Sequence, residues 1–307
     1  MLALKFGLAT PSTLWEMDHS QRIKTVKHIA DSGFDHLFMA DHVSFRNGAG
    51  ADGFVEVAAL SQLHPSLGVM ISIYLLPLRH PLPVARQLAS MARIAPGRMT
   101  FGIGIGGEDR HEIEICGVNP ATRGARTNES LAIIRGLMSG ETVTHQGRHF
   151  SIDEARIRPI PQQAIPIIVG GRSNAALRRA ALYADGWIGV WCSPRRFTEA
   201  VGMVDDYAQT AGRPAPQWCH GYQPWVGVDM NPAKAREAVK QGMEAFYKVP
   251  FEKFERYTPS GTPQQVAEQL APYIDAGCRM FNLKVCAQNP EDEVALGAEV
   301  LKALAAG

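Results

Sequence analysis

An aspartate and a histidine stand directly after one of the apolar segments of this chain. Asp41 and His42 follow the segment His36–Ala40, within the sequence FDHLFMADHVS. Histidine exchanges protons near neutral pH and donates to a substrate carbonyl or alkoxide. Barrel enzymes keep catalytic groups at the carboxyl ends of strands, so this position fits a proton-transfer role. An Asp-His pair at a strand end can equally cap the next helix or bridge the rim, and the residues alone leave both roles open.

A glycine pair with an arginine and a serine follows a later apolar segment. In PIIVGGRSNAALRRAALYADGW the segment leads to Gly170, Gly171, Arg172 and Ser173, and a helix is predicted to begin near Ala175. Glycines let backbone N–H groups approach a ligand, a helix N-terminus offers unpaired donors, and arginine adds a fixed cation. These features predict a phosphate cradle. The same pattern also makes an ordinary tight turn, which remains an alternative.

A second glycine cluster, FGIGIGGEDRHE, resembles the GxGxxG pattern of dinucleotide-binding proteins only superficially. That fingerprint opens a helix at once, whereas here the loop continues through EICGVNPATRG. We therefore reject a dinucleotide fold and expect Gly106 and Gly107 to leave room for a planar ligand. The polar candidates for protonation or phosphate contact after these glycines are Glu108, Asp109, Arg110 and His111.

The composition excludes several classes of function. Lys and Arg number 31 against 30 Asp and Glu, so no global charge attracts nucleic acid or an anionic membrane surface. No apolar run reaches the roughly 18 residues of a membrane helix. The five cysteines have no CxxC or Cys/His metal spacing, and HExxH and GxSxG are absent. We expect reduced thiols, no metal site and a cytoplasmic protein without a secretory signal.

Short apolar runs alternate with amphipathic stretches along the whole chain, which is typical of βα units around a parallel sheet. We predict a single (β/α)8 TIM-barrel domain over residues 1–307. The predicted strands are Leu4–Ala9, His36–Ala40, Gly68–Ile73, Met99–Ile105, Ile165–Gly170, Gly186–Val190, Gly221–Val228 and Met280–Val285. The predicted helices are Ser20–Ser32, Val55–His64, Pro83–Ala92, Arg126–Ser139, Ser173–Tyr183, Phe197–Ala211, Pro232–Phe246, Pro263–Ala276 and Glu291–Ala303.

Two features interrupt this alternation. The segment Glu141–Pro166 contains VTHQGRHFSI and RPIPQQAIP, which predict an inserted β-hairpin and an irregular arm before the fifth strand. This insertion could cover the barrel rim, meet a partner subunit or be a surface loop. The nine predicted helices exceed the eight strands by one, and we place the extra helix within Lys234–Ala276.

Five ordered segments together resemble the luciferase-like superfamily, which contains FMN-dependent monooxygenases and oxidoreductases that use the deazaflavin coenzyme F420. The resemblance spans nearly the whole chain. The segments are SGFDHLFMADH, ISIYLLPLRHPLPVARQLASM, GRMTFGIGIGGEDRHEIEICGV, RGARTNESLAIIRGLMSGETVTHQGRHF and IPIIVGGRSNAALRRAALYADGW.

The resemblance implies a tricyclic ring across the carboxyl-terminal mouth of the barrel, with its phosphate on Gly170, Gly171, Arg172 and Ser173. It also implies a strained bulge, often a non-prolyl cis peptide, at Ser72-Ile73 behind the ring. Asp41 and His42 match the family's pair after the second strand, where the histidine assists hydride transfer in several deazaflavin enzymes. Glu108 matches an acid of the family only within one position, because this loop has an additional glycine.

From the resemblance we expect an F420-dependent oxidoreductase, in which hydride moves between the deazaflavin and a small organic substrate and His42, helped by Asp41 or Glu108, exchanges the proton. The alternatives are a reduced-FMN-dependent monooxygenase that uses O2 and a non-catalytic barrel that binds a cofactor. We expect a homodimer. The cations expected to meet the anionic tail of F420 are Arg156, Arg158, Arg172, Arg178 and Arg179.

Overall fold

A computed structural model describes residues 3–107, 109–214 and 216–306 of the chain. The strands are β1 (Lys5–Ala9), β2 (His36–Met39), β3 (His42–Phe45), β4 (Ala49–Ala51), β5 (Gly68–Leu75), β6 (Met99–Gly104), β7 (Val143–Gln146), β8 (Ser151–Ala155), β9 (Ile167–Gly170), β10 (Gly186–Gly189), β11 (Gly221–Tyr222), β12 (Trp225–Val228), β13 (Ser260–Gly261) and β14 (Met280–Cys286). The α-helices are α1 (His19–Asp31), α2 (Gly53–Ser61), α3 (Pro81–Ile94), α4 (Arg110–Ile115), α5 (Arg123–Ser139), α6 (Asn174–Tyr183), α7 (Pro194–Thr210), α8 (Pro232–Tyr247), α9 (Pro263–Asp275) and α10 (Glu293–Ala306).

The order of the main strands is β1-β2-β5-β6-β9-β10-β11-β14, and β14 pairs with β1. β1 is parallel to both β2 and β14, and β6 is parallel to both β5 and β9. Helices connect these strands along the chain. This order and pairing define the (β/α)8 barrel fold class, as the alternating sequence pattern predicted.

Each predicted strand and each of the nine predicted helices is present, with ends that differ by a few residues. The predicted strand Gly221–Val228 forms two pieces, β11 and β12. Pro224 lies between them, and proline has no backbone N–H to donate to a strand ladder. The structure adds elements that the sequence pattern did not predict, among them the β3–β4 hairpin, the short helix α4 and the two-residue strand β13.

The chain divides into two compact units. The first contains residues 3–38, 187–206 and 217–306, and the second contains the described residues of 39–186 and 207–216. In the first unit, Gly7 of β1 lies against the side chains of His36 and Asn282, where a Cβ atom would meet His36 Nε2 at 2.2 Å. In the second unit, the rings of Phe54, Tyr74 and Phe101 contact one another with centroid distances of 5.1 to 5.6 Å. The prediction of one domain over 1–307 stays a prediction.

The inserted hairpin predicted within Glu141–Pro166 is present as the antiparallel pair β7–β8. Glu129 of α5 anchors it, because this carboxylate accepts the backbone N–H groups of Arg148, His149 and Phe150. Glycine at position 147 lets this carboxylate approach the turn closely, since a Cβ atom there would overlap Glu129 Oε2. The hairpin is therefore fixed to α5 within the second unit.

Among the described residues, no helix has both the length and the apolar character needed to cross a membrane.

Candidate active site

Asp41 is buried completely and connects the end of β2 to the end of β5. Its Oδ1 accepts the N–H of Gly53 at 3.0 Å, and its Oδ2 accepts the N–H of Leu75 at 3.0 Å. The guanidinium of Arg79 binds both oxygens, with Nη2 2.8 Å from Oδ1 and Nη1 2.7 Å from Oδ2. Burial raises the pKa of the Asp41 carboxyl, and the Arg79 cation opposes that rise. This two-oxygen ion pair fixes the chain immediately before His42.

His42 begins β3 and contacts a different carboxylate. Its Nδ1 lies 3.0 Å from Oε2 of Glu112, and the His42 side chain is 18% exposed while that of Glu112 is 2% exposed. The other oxygen of Glu112 accepts the N–H groups of Val43 at 2.7 Å and Ser44 at 3.1 Å. The carboxylate is thus held from both oxygens, and it orients the imidazole.

The short helix α4 brings Glu112 to this place. Asp109 caps the helix, and its Oδ1 accepts the N–H of His111 at 2.9 Å. The second oxygen of Asp109 accepts the N–H of Arg46 in the β3–β4 hairpin at 2.6 Å. Backbone hydrogen bonds lower the pKa of the Asp109 carboxyl, that of Arg46 most of all. Asp109 is therefore a structural residue that joins α4 to the hairpin carrying His42.

Ser72 and Ile73 are joined by a cis peptide bond, and the pairing of β5 with β6 is irregular between Ile71 and Tyr74. Both the cis linkage and the bulge were predicted from the resemblance and are confirmed. Ile73 is partly exposed in a strand whose neighbouring residues are buried. Its side chain thus forms a small apolar platform near the carboxyl end of β5.

Three glycines accommodate the Ile73 side chain. A Cβ atom at Gly104 would lie 2.5 Å from Ile73 Cδ1, one at Gly170 would lie 2.6 Å from the same atom, and one at Gly102 would lie 3.2 Å from Ile73 Cγ2. Glycine at positions 104 and 170 therefore leaves room for the Ile73 side chain, whereas a Cβ atom at Gly102 would meet the Ile71 backbone oxygen first, at 2.5 Å. This arrangement explains physically why the sequence places glycines at these strand ends.

The predicted phosphate cradle lies between β9 and α6. Gly170 ends β9, and Gly171 has a φ of +123°, a backbone conformation that side-chain-bearing residues rarely adopt. The Oγ of Ser173 accepts the N–H of Ala176 at 3.2 Å and caps α6. Arg172 is exposed beside them. The N–H groups that begin a helix have no acceptor four residues earlier within the helix and can bind an anion, although that of Ala176 is bonded to Ser173.

The other predicted site residues lie on the loop after β6. Gly106 has a φ of +71° and Gly107 has open space around its Cα atom, since a Cβ atom there would meet nothing within 4 Å. Glu108, the predicted catalytic acid, lies outside the described residues. The structure thus leaves the predicted role of Glu108 untested.

The predicted cations for a cofactor tail differ in their environment. Arg179 is 4% exposed, and its guanidinium donates to Asn128 Oδ1 at 2.7 Å and to the carbonyl of Gly124. Arg158 donates to the carbonyl oxygens of Ile157 and Gly140. Both therefore have structural partners. Arg156, Arg172 and Arg178 are exposed, and Arg158 is exposed as well despite these partners.

Sequence reasoning gave no role to two of the residues that organise this site. Glu112 was recognised only as part of the segment after the glycines, and Arg79 only as part of ISIYLLPLRHP. The sequence shows each of them only as a single charged residue after a predicted strand, an acid in the case of Glu112 and an arginine in the case of Arg79. Neither spacing identifies a partner, because Glu112 is 70 residues from His42 and Arg79 is 38 residues from Asp41.

The sequence of this chain matches a known protein family and several known proteins. Residues 4–256 match the family of luciferase-like monooxygenases. An uncharacterized protein of Mycobacterium tuberculosis is 35% identical over 167 residues, which is 54% of this chain and 57% of the relative. The chain thus spans little more than half of that relative's length. An F420-dependent glucose-6-phosphate dehydrogenase of Microbacterium testaceum is 27% identical over 278 residues, covering 81% of this chain and 82% of the relative.

A solved structure described as an F420-dependent secondary alcohol dehydrogenase in complex with an F420-acetone adduct has the same fold, with a TM-score of 0.84. It covers 99% of both chains at 19% identity. The family match covers residues 4–256, well over half of the chain, and the fold agrees with it. The chain therefore belongs to the luciferase-like monooxygenase family, a family of oxidoreductases.

Proposed function

We propose that this chain is a coenzyme F420-dependent oxidoreductase that acts on a carbinol or carbonyl carbon of a small organic molecule. The observation that carries this proposal is the His42–Glu112 pair, in which a buried carboxylate orients an imidazole at the carboxyl end of β2. Relatives named as F420-dependent dehydrogenases, one of which matches 81% of this chain, support the choice of cofactor.

The described residues fit a flat, phosphate-bearing cofactor. Ile73 presents a partly exposed apolar surface, and Gly104 and Gly170 add no side chains beside it. Gly171 and the first turn of α6 would hold the phosphate, with Arg172 as an added cation. When bound, the deazaflavin supplies hydride transfer, which no side chain of the protein provides.

His42 would move the proton that accompanies hydride transfer. If Nδ1 donates to Glu112 Oε2, the imidazole is held in the tautomer whose Nε2 carries a lone pair. That nitrogen accepts the hydroxyl proton when an alcohol is oxidised and returns it when a carbonyl is reduced. The carboxylate of Glu112 stabilises the imidazolium formed in between, and the N–H groups of Val43 and Ser44 keep this carboxylate in place.

Asp41 has another role in this proposal. Its four contacts are with Arg79 and with backbone N–H groups, so we assign it to positioning rather than to proton transfer. Glu112 takes the role of helper to His42 that the sequence suggested for Asp41 or Glu108.

The alternative is a monooxygenase that uses reduced FMN and O2, which the family name itself supports. Both cofactors would share the platform at Ile73 and the cradle at Gly171. They differ in reactivity, since a reduced 5-deazaflavin donates hydride and reacts poorly with oxygen.

Separate titrations of the purified protein with F420 and with FMN, followed by cofactor absorbance, test the proposal. We expect tight binding of F420 and, with a panel of secondary alcohols, bleaching of the oxidised F420 absorbance without oxygen uptake. The His42→Ala variant should bind F420 normally and reduce it roughly 10²–10⁴ times more slowly. Tight binding of FMN alone, with oxygen consumed in proportion to product, would replace this proposal with the monooxygenase.

A further inference from the structure

Several partly exposed aromatic residues of the first unit contact one another, and the proposed function assigns no role to them. The rings of Trp191, Tyr247 and Phe254 contact one another with centroid distances of 4.8 to 5.3 Å. Trp225 extends this group and lies 5.8 Å from Tyr247. All four residues keep part of their surface exposed. We call these four residues the aromatic wall.

Trp191 takes its place in the aromatic wall with an unfavourable backbone conformation. Trp191 has a φ of +47°, in the left-handed region that residues with bulky side chains rarely adopt. It stands two residues after the end of β10, and the fold class keeps its ligand sites at the carboxyl ends of strands. Unfavourable backbone conformations are concentrated at ligand sites, where the surroundings enforce them. The conformation thus points to a role for the Trp191 ring.

A lysine lies beside the aromatic wall. Lys284 of β14 is paired in register with Trp225 of β12, and its Nζ lies 5.9 Å from the centre of the Trp225 ring. Side chains paired in register on parallel strands share one face of the sheet. Lys284 is partly buried, and within the described part of the chain no carboxylate comes within 4.0 Å of its Nζ.

Two ionisable groups lie close enough to Lys284 for its charge to affect their pKa, Cys286 and Glu293. Burial raises the pKa of the Cys286 thiol to about 12, so this thiol is neutral at physiological pH. Burial also raises the pKa of Glu293, which Lys284 only partly offsets. A partly buried ammonium group without a close counterion gains most from an anion that arrives with a ligand.

We propose that the aromatic wall and Lys284 form a binding site for a planar aromatic molecule that carries a carboxylate. The ring of the ligand stacks on Trp191 and Trp225, and its carboxylate accepts hydrogen bonds from Lys284 Nζ. This inference goes beyond the proposed redox function, because the binding of such a ligand requires neither F420 nor FMN.

Equilibrium dialysis of the full-length protein with 2-naphthoate, and separately with the uncharged 2-naphthamide, tests the site without any measurement of activity. In the wild type we expect the carboxylate to bind about 10–100 times more tightly than the amide, the range expected for a hydrogen bond to a charged group. Lys284→Met should remove this difference while the amide affinity stays within about twofold. The matched control is Lys302→Met, which changes an exposed lysine of α10 that pairs with Glu299.

Trp191→Leu distinguishes the contribution of the aromatic wall from that of Lys284. It should weaken the binding of 2-naphthoate and 2-naphthamide about equally. Circular dichroism and urea unfolding verify that each variant is folded. The proposal is overturned if the wild type binds neither probe, if it binds both with equal affinity, or if Lys284→Met behaves like Lys302→Met.

Discussion

The stability of this protein should fall steeply below pH 6.5 because of two buried histidines in the first unit. His36 is 7% exposed and His220 is 2% exposed. The Nε2 of His36 contacts Oδ1 of Asn282 at 2.8 Å, and the Nδ1 of His220 accepts the N–H of Trp187 at 3.1 Å. Among the described residues, Nε2 of His220 is buried and has no hydrogen-bond partner.

These surroundings favour the neutral imidazole in the folded protein. Burial lowers the pKa of His36 from 6.5 to about 4, although the hydrogen bond to Asn282 opposes this. Burial also lowers the pKa of His220 to about 4. In the unfolded chain both rings protonate near pH 6.5, so between pH 6.5 and 4 the unfolded state binds more protons than the folded state. The free energy of unfolding therefore decreases as the pH falls through this window. Above pH 6.5 the two histidines are neutral in both states and do not change it.

The size of the effect follows from the two pKa values. The difference between a pKa of 6.5 in the unfolded chain and about 4 in the folded protein lowers the free energy of unfolding by about 3 kcal/mol for each histidine once the pH is below 4. At pH 5 most of that loss has occurred, about 2 kcal/mol for each ring, or about 4 kcal/mol for both. A loss of this size is a large fraction of the roughly 5–15 kcal/mol that stabilises an ordinary domain.

Urea unfolding at a series of pH values from 7.5 to 5, followed by circular dichroism, measures this loss. His36→Gln places an amide nitrogen near the position of Nε2, and His220→Asn places an amide oxygen near the position of Nδ1. The double variant should lose about 4 kcal/mol less than the wild type over this range. His19→Gln, at an exposed histidine, should leave the pH dependence unchanged. A wild-type loss below about 1 kcal/mol, or an equally steep loss in the double variant, would refute the reasoning.

Two further predictions concern the candidate active site. Glu112→Gln should lower kcat roughly 10²–10⁴-fold with little change in cofactor affinity, because the amide nitrogen would donate to His42 Nδ1 and reverse the imidazole tautomer. The control is Glu114→Gln on the same helix. If steady-state kinetics do not distinguish the two variants, Glu112 has no part in the mechanism. Gly170→Ala should weaken F420 binding about tenfold or more and lower the unfolding free energy by about 1–3 kcal/mol, since its Cβ meets Ile73 Cδ1 at 2.6 Å. Adding Ile73→Val removes that Cδ1 atom and should restore part of both quantities, and an absence of any rescue would contradict the contact as the cause.

The fold could be predicted from the sequence because each buried strand is a short apolar run with a helix-forming stretch behind it. The candidate phosphate cradle at Gly170–Ser173 could be proposed from the sequence because its residues are consecutive in the chain. The β3–β4 hairpin and α4 were not predicted. Their sequences are short, and their position depends on hydrogen bonds such as that from the Arg46 N–H to Asp109, which joins segments 63 residues apart.

The case of Asp41 and His42 shows why adjacency in sequence misleads about partnership in a site. Asp41 lies between β2 and β3, whereas His42 begins β3, and the two side chains have different partners. The Asp41 carboxylate accordingly binds Arg79 and the backbone near β5, while the His42 ring binds Glu112, which α4 supplies from further along the chain. Removing the Asp41 carboxylate would therefore leave the Arg79 cation partly buried without its counterion. We expect that damage to appear first in stability, whereas damage to Glu112 should appear first in turnover.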